Sequence, residues 1–93
     1  MAKFPKFHLG HTVATPAALA VLENAGKSPA EFLRRHLVGD WGDIEEEDKK
    51  LNDWSIINNE RIFSAYNLGN GERIWIITER DHSATTILLP SEY

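Results

Sequence analysis

Apolar residues recur at helical spacing through the first two-thirds of the chain and at strand spacing through the last third. Phe7 to Val13 predicts a short first strand. In "TPAALAVLENAG" the residues Ala18, Leu19, Leu22 and Ala25 form a stripe at helical spacing. Both ends of that helix are marked: Thr15 is a capping residue, Pro16 takes the first helical position, and Gly26 supplies a left-handed stop. "SPAE" opens a second helix as a capping box between Ser28 and Glu31, with Phe32, Leu33, His36 and Leu37 along one side and Gly39 at the end. The short link between the two predicts an antiparallel helical hairpin.

A third helix is predicted from Asp43, with Glu46 completing a second box. At 100° per residue, Ile44, Leu51 and Trp54 share one face, while Glu45, Glu46, Lys49, Lys50 and Asp53 share the opposite one. Glu45 with Lys49 and Glu46 with Lys50 are spaced as favourable i,i+4 pairs.

After Asn58-Asn59 the pattern changes. "RIFSAYNL" and "RIWIITE" flank Gly69-Asn70-Gly71, a hairpin turn signal, and "ATTILL" follows a polar link from Arg80 to Ser83. The expected fold is α+β in a single domain, 1–93: a short N-terminal strand, a helical hairpin and a third helix packed on a C-terminal three-stranded antiparallel meander. The first strand is expected at an edge of that sheet, with Trp75 beside Phe63 or Ile87.

Charge narrows the function classes. The segment from Asp40 to Asp53 holds seven of the fourteen acids against two lysines, so the net charge of −4 is concentrated there and the rest is nearly neutral. Phosphate binding draws on clustered Lys and Arg; none is present, and direct nucleic-acid binding is disfavoured. The absence of cysteine excludes disulfides and thiolate metal sites. "MAKFPKFHLG" has no apolar run like that of a signal peptide, and no stretch is long enough to cross a bilayer, so a cytoplasmic protein without membrane contact is expected.

"FLRRHLVGDWGD", the "LND" of Leu51 to Asp53, "RIFSAY" and "IWIITERDHSATTILLPSEY" resemble a family of small bacterial proteins associated with plasmids and mobile elements, often labelled type I restriction endonuclease subunit M. The similarity covers nearly the whole chain. His82 departs from the arginine that the family pattern leads one to expect after the aspartate. The resemblance implies mobile-element company and a restriction or defence context, and it carries over no catalytic residues. A methylase must enclose its cofactor and a flipped base, which 93 residues can scarcely do, and neither a glycine-rich cofactor loop nor an Asn/Asp-Pro-Pro-aromatic element is present.

Candidate chemistry is sparse. Arg34, Arg35 and His36 fall in a last helical turn, where basic groups complement the helix dipole, and Asp40 and Asp43 are close enough to neutralise them. His36 with Asp40, and His8 with His11, are two-ligand fragments with no third partner, so no metal and no cofactor are expected. "DHS" at Asp81 to Ser83 holds hydrolase residue types, but adjacent positions cannot converge as nucleophile, base and orienter, and a polar turn is expected. Trp41, between Asp40 and Gly42, either plugs the core or anchors a partner.

The leading expectation is a non-catalytic accessory factor that binds another protein, with Asp40, Trp41, Asp43, Glu45, Glu46 and Asp53 as the contact surface. One rival is a ribonuclease toxin of the RelE or ParE type, suggested by topology, with Arg61, Arg73, Arg80, Asp81 and His82 gathered at one sheet end. A second is an acidic inhibitor that mimics DNA. A third is a homodimer formed through a sheet edge or exposed aromatics, since small domains gain stability from association.

Overall fold

The computed structural model describes residues 4–93. Its elements are β1 (His11–Ala14), α1 (Pro16–Asn24), α2 (Pro29–Leu37), α3 (Glu46–Asn58), β2 (Ile62–Asn67), β3 (Arg73–Thr78), β4 (Ala84–Leu88) and a closing 3-10 turn, Pro90–Glu92. β2, β3 and β4 form the antiparallel meander, and β1 joins it parallel to β4, giving the order β1-β4-β3-β2. The expected α+β architecture is what the chain adopts. The first strand is shorter than the hydrophobic pattern predicts, because Gly10 adopts a left-handed φ of +66° and lies against the Ser83 backbone, where a Cβ would come within 2.2 Å of the Ser83 oxygen.

Local chemistry sets the helix starts. Thr15 Oγ1 accepts from the Ala18 N–H at 3.0 Å, a cap worth about 1 kcal/mol. Its hydroxyl donates to Glu92 at 2.7 Å, and the same carboxylate accepts from the Leu89 N–H, so the 3-10 turn is latched beside the start of α1. Ser28 caps α2 by accepting from Ala30 N–H at 3.2 Å rather than from Glu31, whose N–H donates to the Ser28 carbonyl instead, so the cap forms without either side-chain bond of the expected box.

One face of the sheet is the core. Ile62, Ser64 and Tyr66 of β2, Ile74, Ile76 and Thr78 of β3, and Thr85 and Ile87 of β4 are all buried. Ala18 and Leu22 of α1 and Phe32 of α2 pack with this set. Strand alternation puts Phe63, Trp75, Ile77 and Leu88 on the other face. There Trp75 lies opposite Ala65 and Leu88, and its ring meets Phe63 edge-on at 5.0 Å as a diagonal neighbour, while Tyr93 closes on it at 5.6 Å.

The third helix departs most from expectation. It starts at Glu46, with Glu45 as a cap that makes no side-chain hydrogen bond, because Asp43 is used elsewhere. The Asp43 N–H donates to Ala65 O at 2.7 Å and its carboxylate accepts the Asn67 N–H at 3.0 Å. Residues 41–43 thus run beside β2 as an extra bridge. Gly42 makes this approach possible: its φ is +79°, and a Cβ there would lie 2.1 Å from Ala65 O. α3 then turns Asn52 and Ser55 inward. Asn52 grips Phe63 twice, donating to its carbonyl at 2.6 Å and accepting from its N–H at 3.0 Å. The face expected to be covered, Leu51 and Trp54, therefore points to solvent.

Candidate interaction surface

The most reactive-looking group in the molecule is walled in. His36, on the apolar side of α2, is fully buried beneath Phe7 and Trp41, whose rings lie 5.3 and 5.7 Å from its own. Its Nδ1 is 2.6 Å from Ser64 Oγ and its Nε2 is 2.9 Å from Thr78 Oγ1. Thr78 Oγ1 lies 2.8 Å from Thr85 Oγ1, which is 2.7 Å from the carbonyl of Leu9.

Donor counting orients this chain. A carbonyl only accepts, so the Thr85 hydroxyl donates to Leu9 and must accept from Thr78. Thr78 then accepts from His36 Nε2–H, leaving Nδ1 to accept from Ser64. Neutral imidazole satisfies every link, and burial holds the His36 pKa down to about 3. This His–Ser pair is a core polar network with no access for a substrate.

The arginines of the toxin reading do not converge. Arg61 precedes β2 and Arg80 follows β3 at one end of the sheet, whereas Arg73 starts β3 at the other, bonded to Asn67. Arg61 is paired with Glu79 at 3.8 Å and donates to the Tyr93 hydroxyl, and Arg80 is paired with Glu60 at 3.3 Å. His82, at a left-handed φ of 57°, makes a 3.1 Å hydrogen bond with the Glu60 carbonyl and faces Phe7. Asp81 accepts from both the N–H and the hydroxyl of Ser83, which lowers its pKa. That is the polar turn expected of "DHS".

The residues expected to form a docking surface separate into two groups. Trp41 does not reach the surface: it is 5% exposed, packed against His36 and Phe7, and fills the corner from within. Asp40 is held at that corner by Arg35, through bonds of 2.7 and 3.3 Å, and its carbonyl accepts from the Tyr66 hydroxyl at 2.7 Å. The bond to Asp40 raises the Arg35 pKa further, and burial raises that of Tyr66. Asp43 is exposed but serves β2. Glu45, Glu46 and Asp53 remain on the solvent side of α3, where Glu46 pairs with Lys49 at 3.4 Å in i,i+3 spacing instead of the expected i,i+4 pairs.

Those acids stand around an apolar stripe. Leu51, Trp54 and Ile57 are 55%, 52% and 81% exposed and follow one another at three-residue steps on the outer side of α3. Helical spacing puts Glu47 and Asn58 in the row of Leu51 and Trp54, and Glu46, Lys50 and Asp53 in the row of Ile57. The periodicity pointed Leu51 and Trp54 inward and missed Ile57. Leu51, Trp54, Ile56 and Ile57 spread over too wide an arc to single out the buried side. Asn52, a polar residue able to serve both main-chain groups of a neighbouring strand, was the signal that could have done so.

No helix among the described residues is long and apolar enough to cross a membrane. Among the described residues no three His, Asp or Glu side chains gather as a metal-binding set. No family model, curated protein or solved structure matches the chain, so its functional reading rests on this surface.

Proposed function

We propose that this chain is a small non-catalytic binding protein that docks on another protein through the outer side of α3. The carrying observation is the solvent-facing stripe of Leu51, Trp54 and Ile57 set among Glu46, Glu47 and Asp53. Large apolar side chains left exposed together on one helix side mark contact surfaces, and tryptophan is among the residues that contribute most to binding. The fold gives them no internal role, because Asn52 and Ser55 already supply the buried side of the helix.

The complementary partner has an apolar groove for a helix and a basic rim that meets the acids and favours fast association. The resemblance to the mobile-element family supports a component of a restriction or defence system as the target. The buried His36 network and the carboxylate-paired Arg61 and Arg80 support a binding role over a ribonuclease one.

Photo-crosslinking tests the reading. A photoreactive side chain at position 54 should give a saturable crosslink to a protein segment that combines apolar residues with Lys or Arg. Leu51→Ser with Ile57→Ser should remove that crosslink while unfolding stays as in the parent. An equal yield from the double variant, or from a label at Lys27, would refute it.

A further inference from the structure

The two edges of the sheet are treated in opposite ways. On β2 the outward main-chain groups belong to Phe63, Ala65 and Asn67, and the fold covers both groups of Phe63 and Ala65 and the N–H of Asn67. Asn52 takes both groups of Phe63, Trp41 O accepts from Ala65 N–H at 3.3 Å, Asp43 N–H donates to Ala65 O, and the Asp43 carboxylate takes Asn67 N–H. Among the described residues, none covers β1, at the other edge, in this way. His11 N–H donates to Ser83 O at 2.9 Å and Thr15 N–H to Ile87 O at 3.0 Å, so the odd-numbered residues face β4. The N–H and C=O groups of Thr12 and Ala14 therefore face outward. His11, Thr12 and Val13 are exposed, Val13 at 54%, and "HTVA" carries none of the lysine or proline that usually guards an edge.

We infer that β1 is a self-association strand, and that a second copy of this chain pairs with it antiparallel about a two-fold axis at Val13. Parity selects this register. With Val13 opposite itself, Thr12 of each copy faces Ala14 of the other, and each such pair exchanges two hydrogen bonds, closing four in all. Val13 then occupies the non-hydrogen-bonded position, where side chains approach most closely, and its apolar surface is covered by its twin. A register centred on Thr12 would set Ala14 opposite Gly10, which has left the strand at φ +66°.

The contact is isologous, as closed dimers require, and carries no formal charge along "HTVA", so no like charges oppose across the axis. Beside the edge a cavity of about 150 Å³, lined by Thr12, Val13, Ala14, Pro29, Leu33 and Ile87, offers apolar surface next to the joined strands. The product is a continuous eight-stranded sheet, with both β2 edges still blocked against further growth. This inference is independent of the α3 reading.

Sedimentation velocity combined with amide exchange on the full chain tests it. A concentration-dependent dimer is expected in the micromolar to millimolar range. Val13→Lys, which puts two cations at the axis, should raise its dissociation constant by about tenfold or more, while Trp54→Ala, away from the strand, should leave it unchanged. Thr12 and Ala14 amides should become protected as concentration rises, whereas those of His11 and Val13 are protected throughout. A chain that stays monomeric, a dimer that Val13→Lys does not weaken, or Thr12 and Ala14 amides that stay open in the dimer would each overturn it.

Discussion

Mild acid should weaken this protein through one residue, His36. In the folded chain its imidazole stays neutral down to about pH 3 because burial penalises the charge. In the unfolded chain it binds a proton near its ordinary value of 6.5. Below that value the unfolded state holds the extra proton, so stability present at neutral pH is lost as the pH falls toward 3. At 1.36 kcal/mol per pH unit, the loss from pH 7 to pH 5.5 is about 1.3 kcal/mol from this group alone.

The control is His36→Gln, whose amide can donate toward Thr78 and accept from Ser64 without titrating. Urea unfolding of both proteins at the two pH values isolates the histidine, because every other titrating group is common to both. His36→Gln should be less stable than the parent at pH 7 through imperfect fit, yet lose about 1.3 kcal/mol less on acidification. The same pH dependence in both proteins would mean that His36 is hydrated or charged in the native state, and the oriented network would be wrong.

Gly42→Ala should destabilise by about 3 kcal/mol or more, since it combines a left-handed backbone with a Cβ 2.1 Å from Ala65 O; chemical denaturation measures it. Asn52→Ala strips Phe63 of both main-chain partners and should cost roughly 1–3 kcal/mol, with faster exchange of the Phe63 amide. Leu51→Ser with Ile57→Ser should change the unfolding free energy by no more than about 0.5 kcal/mol per site, because both side chains already face water.

What the sequence disclosed follows the range of the interaction. Thr15, Pro16, Ser28 and Pro29 act within one helical turn, and the two helix starts were legible from them. Gly69-Asn70-Gly71 acts within five residues, where both glycines adopt φ of +88° and Asn70 accepts from Glu72 N–H, and the hairpin was legible too. The side of α3 that is buried depends on Asn52 meeting Phe63, eleven residues on and in another element, and periodicity carries no record of that pairing. The same holds for Asp43, which has the composition of a helix cap but bonds to Asn67, twenty-four residues away. His36 was legible as part of an apolar stripe, while its partners Ser64 and Thr78 come from two separate strands. Hence the fold class was readable from local signals, and the stripe expected to be covered proved to be the surface.

The docking account stands on the orientation of α3, and acrylamide quenching of tryptophan fluorescence tests that orientation most directly. Trp54 is half exposed and Trp41 is buried in the aromatic corner. Replacing Trp54 with Phe should therefore remove most of the strongly quenched emission, while replacing Trp41 should leave that component in place. If Trp54→Phe left the quenching unchanged, the stripe would lie against the body of the protein and the proposed docking surface would not exist.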